Sequence, residues 1–142
     1  EANLDQAPTT RQSSELGQAK NVASAAVDYQ NFCKATIPAG MDFSELKIVV
    51  DGSHGAAYKV APRVIGDLRA ELIPVGCSPN GRNINDGCGS TRPDLLQLTV
   101  KGVRADVGIA LDGDGDRVLM VDEDGGLVDG DQLLYVLARD RV

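Results

Sequence analysis

Apolar positions change their spacing from one segment of the chain to the next, and those changes predict its elements. After a polar lead containing Pro8, residues Leu16, Ala19, Val22, Ala26, Tyr29 and Cys33 recur at steps of three or four, with Ser13 and Ser14 placed to cap, which predicts one amphipathic helix. A loop over 36–45 then gives way to "LKIVVD" (46–51), short, β-branched and apolar on both faces, as in a strand covered on both sides. "GSHGAAYKVAPRVIGDLRA" (52–70) reads as a glycine turn opening a helix with Pro62 near its first turn, and "ELIPVG" (71–76) as a second strand. A long polar loop, 77–91, precedes a helical pattern in which Ser90 or Thr91 can cap and Pro93 suits the first turn. "DVGIALD" (106–112) is a third strand, "RVLMVDEDGGLVDGD" (117–131) a hairpin, and "DQLLYVLARD" (131–140) a closing helix.

Strand, helix, strand, helix, strand predicts an α/β layer fold with a small, mainly parallel (mixed) sheet flanked by helices. Ligands of such sheets gather at the carboxyl ends of the strands, where both Asp51 and the acidic stretch after residue 111 fall. No internal repeat or low-complexity tract interrupts the pattern.

Composition narrows the partners. With 42% apolar and 25% charged residues in 142, the chain suits one globular domain. Its formal charge of −7, without any run of Lys and Arg, argues against nucleic acid and anionic membrane surfaces. Cys33, Cys77 and Cys88 form an odd set without C-x-x-C spacing, so neither a disulfide framework nor a zinc site is expected, and a reduced, cytoplasmic setting fits. No stretch approaches the ~18 apolar residues that span a bilayer. The first residue is not Met and the last lie inside a helical pattern, so a piece of a longer protein is expected.

The chemistry is concentrated in "ALDGDGDRVLM" (110–120), where Asp112, Asp114 and Asp116 alternate with glycines and Arg117 follows. Two charges ~5 Å apart at an effective dielectric of ~20 repel by about 3 kcal/mol, so three need a compensating cation. Only Arg117 is adjacent, and the preceding segment is apolar. Oxygen-only ligands select a hard cation, Mg²⁺, Mn²⁺ or Ca²⁺, and a solvated acidic turn is the plain alternative. An EF-hand would use the three aspartates at positions 1, 3 and 5 and Glu123 at position 12, but position 6 is Arg117 and the flanks read as strands. A haloacid dehalogenase type phosphatase would need partner motifs over a longer stretch than the 26 residues after Asp116.

Elsewhere, Ser53 beside His54 suggests a nucleophile and base, yet neighbours on an extended segment point to opposite faces, so the pair is badly placed. The glycine turn could instead bind an anion through backbone N–H groups. Asp129 and Asp131 read as a helix N-cap rather than a second metal site.

"LDGDGDRVLMVDEDGGLVDGDQLL" resembles the metal-binding loop and flanks of the α-D-phosphohexomutases. "ELKIVVDGSHGAAYKVAPRV", "PNGRNIN" and "GCGSTRPDLLQ" are similar, in the same order, to the second of that family's four domains, especially in the bacterial branch acting on glucosamine phosphate. The resemblance implies reversible phosphoryl transfer between the 6- and 1-positions of a hexose, through a bisphosphorylated sugar and an enzyme phosphoserine, in the supply of amino-sugar phosphate for cell-wall synthesis. It implies Mg²⁺ held by Asp112, Asp114 and Asp116, with a phosphoserine oxygen from another domain, and Arg117 contacting the phosphoryl group. The implied partners are a hexosamine phosphate and the enzyme's other domains, with a homodimer left open. It divides the chain into a linker and leading helix (1–40), an α/β metal-binding domain (41–128) and the start of a further domain (129–142). The serine-bearing Thr-Ala-Ser-His-Asn-Pro type loop is absent, so this stretch alone is expected to be inactive. Phosphoglucomutase or phosphomannomutase chemistry and a stand-alone divalent-metal module remain the alternatives.

Overall fold

Five strands form one mixed sheet in the order β2-β1-β3-β4-β5: β1 (Lys47–Asp51), β2 (Glu71–Val75), β3 (Val107–Leu111), β4 (Val118–Asp122) and β5 (Leu127–Val128). The computed structural model describes residues 10–141; residues 1–9, with most of the polar lead, and residue 142 lie outside the described residues. β1 pairs parallel with β2 and β3, whereas β3–β4 and β4–β5 are antiparallel. Helices α1 (Ala25–Ala35), α2 (Val60–Gly66), α3 (Asp94–Val103) and α4 (Gly130–Asp140) complete the α/β fold.

The crossovers from β1 to β2 and from β2 to β3 run in opposite directions along the sheet, so their usual right-handedness puts α2 and α3 on opposite faces. Packing agrees. Val49, Ala110 and Val121 are fully buried against Leu96 and Val100 of α3, each large side chain contributing about 1.5–3 kcal/mol. Leu111 faces the other way, lining a cavity with Val60 and Val64 of α2. The three parallel strands, β2, β1 and β3, therefore end on the same edge of the sheet, between the two helical layers.

The leading helix is shorter than the periodicity predicts. Ser13 and Ser14 belong to a single 3-10 turn (Ser13–Glu15), and α1 starts only at Ala25. Gly17 interrupts the segment, and Leu16 and Val22 are 62% and 60% exposed, so no tertiary surface stabilises a longer helix. Ala26, Tyr29 and Cys33 do lie on α1, where Lys34 reaches Asp67 at the end of α2 at 2.7 Å. Two further expectations need correction. Pro93 is the N-cap of α3 rather than a first-turn residue, and neither Ser90 nor Thr91 caps it. The glycine turn after β1 does not open α2, which begins at Val60.

The hairpin and closing helix follow the expected pattern. Asp122 Oδ1 accepts from the backbone N–H groups of Asp124 (3.0 Å) and Gly126 (2.6 Å), closing the turn, and Gln97 of α3 donates to the Gly125 carbonyl at 2.7 Å. Asp129 caps α4: its side chain accepts from the Gln132 N–H, and the Gln132 side chain accepts from the Asp129 N–H, both at 2.9 Å. Leu134, Tyr135, Val136 and Leu137 of this helix are exposed. No helix among the described residues is long and apolar enough to cross a membrane.

Candidate metal centre

Buried β3 delivers its next residue, Asp112, to the carboxyl end of the sheet with only 1% of its surface exposed. Its Oδ1 accepts from the backbone N–H groups of Gly115 and Arg117, each at 3.1 Å. Its Oδ2 accepts from Arg117 Nε at 2.8 Å, with a terminal guanidinium nitrogen also at 2.8 Å. Asp114 and Asp116 stand exposed on the same loop, and carboxylate oxygens of the three aspartates lie within 4.8 Å of one another.

That arrangement fits a hard divalent cation. Opposite oxygens of one coordination shell are about 4.2 Å apart for Mg²⁺ and up to about 5.2 Å for Ca²⁺, doubling their metal–oxygen distances. The donors are all carboxylate, which disfavours zinc. Asp112 already has four hydrogen-bonding contacts, so a cation binding there has to displace part of its contact with Arg117.

Charge crowding sorts the protons. Burial pushes the Asp112 carboxyl up, but backbone and side-chain hydrogen bonds from Arg117, with a further contribution from Asp116, outweigh it and bring the pKa down to about 2. Asp116 moves the other way, raised by sharing a hydrogen bond with Asp112 and by the charges of Asp114 and Asp112. Arg117 is raised in turn by Asp112. In stability terms, Asp112 contributes fully above the ordinary carboxylate range and loses this as pH falls toward about 2. Asp116 favours the folded loop when protonated, a contribution lost as pH rises through its raised pKa.

A cation held by the three aspartates would compete with a proton at Asp116. Mn²⁺ affinity measured by EPR is expected to rise with pH through the raised Asp116 pKa and to level off above it. A flat profile would show that Asp116 is not a ligand.

The turn after β1 supports this loop from below. Ser53 and His54 are not extended but adopt consecutive left-handed conformations, each with φ 51°, at a cost of ~1–3 kcal/mol apiece. The Ser53 hydroxyl donates to the Gly52 carbonyl, and His54 Nδ1 accepts from the Ser78 N–H at 3.0 Å, so the two make no nucleophile–base pair. His54 holds the start of the 77–91 loop instead. Gly55 lies so close to Gly113 that a Cβ there would sit 2.3 Å from the Gly113 carbonyl oxygen, and the Ala56 N–H donates to that same oxygen at 2.8 Å. Gly55 thus matters to the placement of the loop although the acidic pattern did not reveal it; the available signal was a G-x-x-G turn directly after an apolar strand.

An apolar cavity of about 430 Å³ adjoins the loop, lined by Tyr29, Val64, Ile65 and Leu111 with Asp114 at its rim. Its lining suits neither phosphate nor sugar hydroxyls. Buried Cys88 is pushed up to about 11 by burial and by the charge of Asp51, which makes it an inert thiol rather than a nucleophile. The EF-hand alternative fails on geometry, because β3 and β4 flank the loop where helices are required. Glu123 lies beyond all five residues of β4, ~16 Å along an extended strand.

Residues 28–126 match the family model described as phosphoglucomutase/phosphomannomutase, alpha/beta/alpha domain II. The chain is 53% identical over 141 residues to a phosphoglucosamine mutase of Nitrosococcus oceani, covering 99% of this chain and 31% of that protein. It is 54% identical over 142 residues to one from Burkholderia multivorans, covering 100% and 32% respectively. It therefore spans about a third of the length of these relatives. Among solved structures, a phosphoglucomutase/phosphomannomutase family protein from Burkholderia thailandensis superposes with a TM-score of 0.68 at 28% identity, over 81% of this chain and 25% of that one.

Proposed function

Because the chain belongs to the phosphoglucomutase/phosphomannomutase family, as its alpha/beta/alpha domain II, we propose that it is the Mg²⁺-binding domain of a phosphoglucosamine mutase. In that reading the whole enzyme, an isomerase, interconverts glucosamine 6-phosphate and glucosamine 1-phosphate through a phosphoserine and a bisphosphorylated sugar. The observation that carries it is the convergence of Asp112, Asp114 and Asp116 at the end of β3. The identity to phosphoglucosamine mutases along the full chain supports the amino-sugar substrate.

Asp112, Asp114 and Asp116 would hold Mg²⁺, which supplies positive charge to a phosphoryl group in transfer. The residues of this chain have simpler tasks. Arg117, 66% exposed at its side chain while bound to Asp112, has guanidinium donors for phosphoryl oxygens. The strained 51–55 turn holds the aspartate loop in place, so that positioning costs little at the moment of reaction. No Thr-Ala-Ser-His-Asn-Pro type loop occurs in these residues, so the stretch by itself is inactive in this reading.

The same reading takes residues 1–40 as a linker with its helix, 41–128 as the metal-binding domain and 129–142 as the beginning of the next domain. The exposed apolar side chains of α4 support that last division. The setting would be cytoplasmic.

A coupled mutase assay of the full-length protein with Mg²⁺ and a bisphosphate activator tests the function. Preference for glucosamine 6-phosphate over glucose and mannose phosphates is expected. Preference for a neutral hexose phosphate would keep the family and overturn the substrate, and absence of turnover with every sugar would leave a divalent-metal module.

A further inference from the structure

We propose that Asp51 is a positioning residue for the metal loop, an inference that rests on reading Asp112, Asp114 and Asp116 as cation ligands. Asp51 ends β1 and is 0% exposed. A carboxylate is costly to bury unless its oxygens are fully engaged, and both are. Oδ1 accepts from the Ser53 N–H at 2.8 Å, within its own turn. Oδ2 accepts from the Gly89 N–H at 2.7 Å, reaching across to the far end of the 77–91 loop.

Each of these bonds leads to one neighbour of Asp112. Beyond Gly89, the Ser90 N–H donates to the Leu111 carbonyl at 3.0 Å, immediately before the first ligand. Gly89 itself is seated so tightly that a Cβ would lie 2.5 Å from Ser53 Cβ and 2.8 Å from the Leu111 oxygen. On the other side, the turn fixed through Ser53 places Gly55 against Gly113 and lets the Ala56 N–H donate to the Gly113 carbonyl, immediately after that ligand. The Ser53 carbonyl also accepts from the Asn85 N–H at 2.8 Å, closing the connection between the two segments. One buried charge therefore ties together the two segments that grip Leu111 and Gly113. It touches no ligand directly; it acts through backbone.

Asp51→Asn keeps the shape but turns an amide donor toward one of two backbone N–H groups, breaking one tie. In the full-length protein this variant is expected to weaken Mn²⁺ binding by roughly tenfold or more, the scale seen when outer partners of metal ligands are lost. Val121→Ala, a truncation in the core away from the loop, is expected to lower stability while leaving Mn²⁺ affinity unchanged. A second measurement needs no variant. Because coupling is reciprocal, Mg²⁺ should slow hydrogen exchange at the Gly89 and Ser90 amides in the parent protein more than at Glu71, whose N–H bonds Leu46 at the other end of the sheet.

Parent-like Mn²⁺ affinity in Asp51→Asn, an equal loss in Val121→Ala, or no selective slowing at Gly89 and Ser90 would each overturn the proposal. Asp114→Asn run alongside separates the two levels. If it loses Mn²⁺ while Asp51→Asn does not, only the positioning role falls; if it binds Mn²⁺ like the parent, the metal reading falls and takes the positioning role with it.

Discussion

Full-length protein carrying Asp114→Asn is expected to lose at least about a hundredfold in kcat while unfolding at the same urea concentration as the parent, or slightly higher. The two effects have opposite origins. A bound cation contributes several kcal/mol to stabilising charge on a phosphoryl group, and each ~1.4 kcal/mol lost is a factor of ten in rate. The folded loop gains when the charge is removed, because Asp114 contributes to the repulsion that raises Asp116 and is itself exposed, without a structural bond to break. Steady-state kinetics across Mg²⁺ concentrations and urea denaturation of the same preparations check both halves. Turnover near that of the parent at all Mg²⁺ concentrations would show that the loop is not the metal site.

Gly55→Ala is expected to produce the largest loss of stability, about 3 kcal/mol, at the upper end of what overpacking usually costs. The added methyl would lie 2.3 Å from the Gly113 oxygen and 2.7 Å from its Cα. Both are backbone atoms, so no side chain can swing aside; either the turn or the metal loop has to move. Since the Ala56–Gly113 hydrogen bond crosses the same gap, separation breaks it as well. Gly102→Ala in α3 is the matched control, because nothing lies within 4 Å of the methyl it adds. It is expected to be neutral or to stabilise by up to about 1 kcal/mol, through helix propensity. Urea midpoints for the two variants decide the matter: equal midpoints would mean that the Gly55 contact relaxes without cost.

The sequence revealed what depends on local pattern. Period-two and doubly apolar runs located β1, β2 and β3, since the sheet demands them, and the D-E-D-G-G turn marked the hairpin because Asp122 and Gly126 close it within five residues. Asp112, Asp114 and Asp116 were legible for the same reason, lying on one short loop. The leading helix was over-extended because its spacing is helical on paper, whereas a marginal helix needs a surface to pack on, and Leu16 and Val22 have none. The Ser53–His54 geometry was missed because the left-handed turn comes from contacts of Gly55 with Gly113 and of His54 with Ser78, both distant in sequence. The role of Asp51 was equally hidden, since its partner Gly89 lies 38 residues away.

The reciprocal bonds between Asp129 and Gln132 span only four consecutive residues, and so owe nothing to what packs against the helix they begin. They fix where the helix begins, so the register of its apolar side chains is set at the junction itself. Whatever meets the exposed stripe of Leu134 and Leu137 must match that register, since a shift of one residue within the helix would rotate the stripe by about 100°.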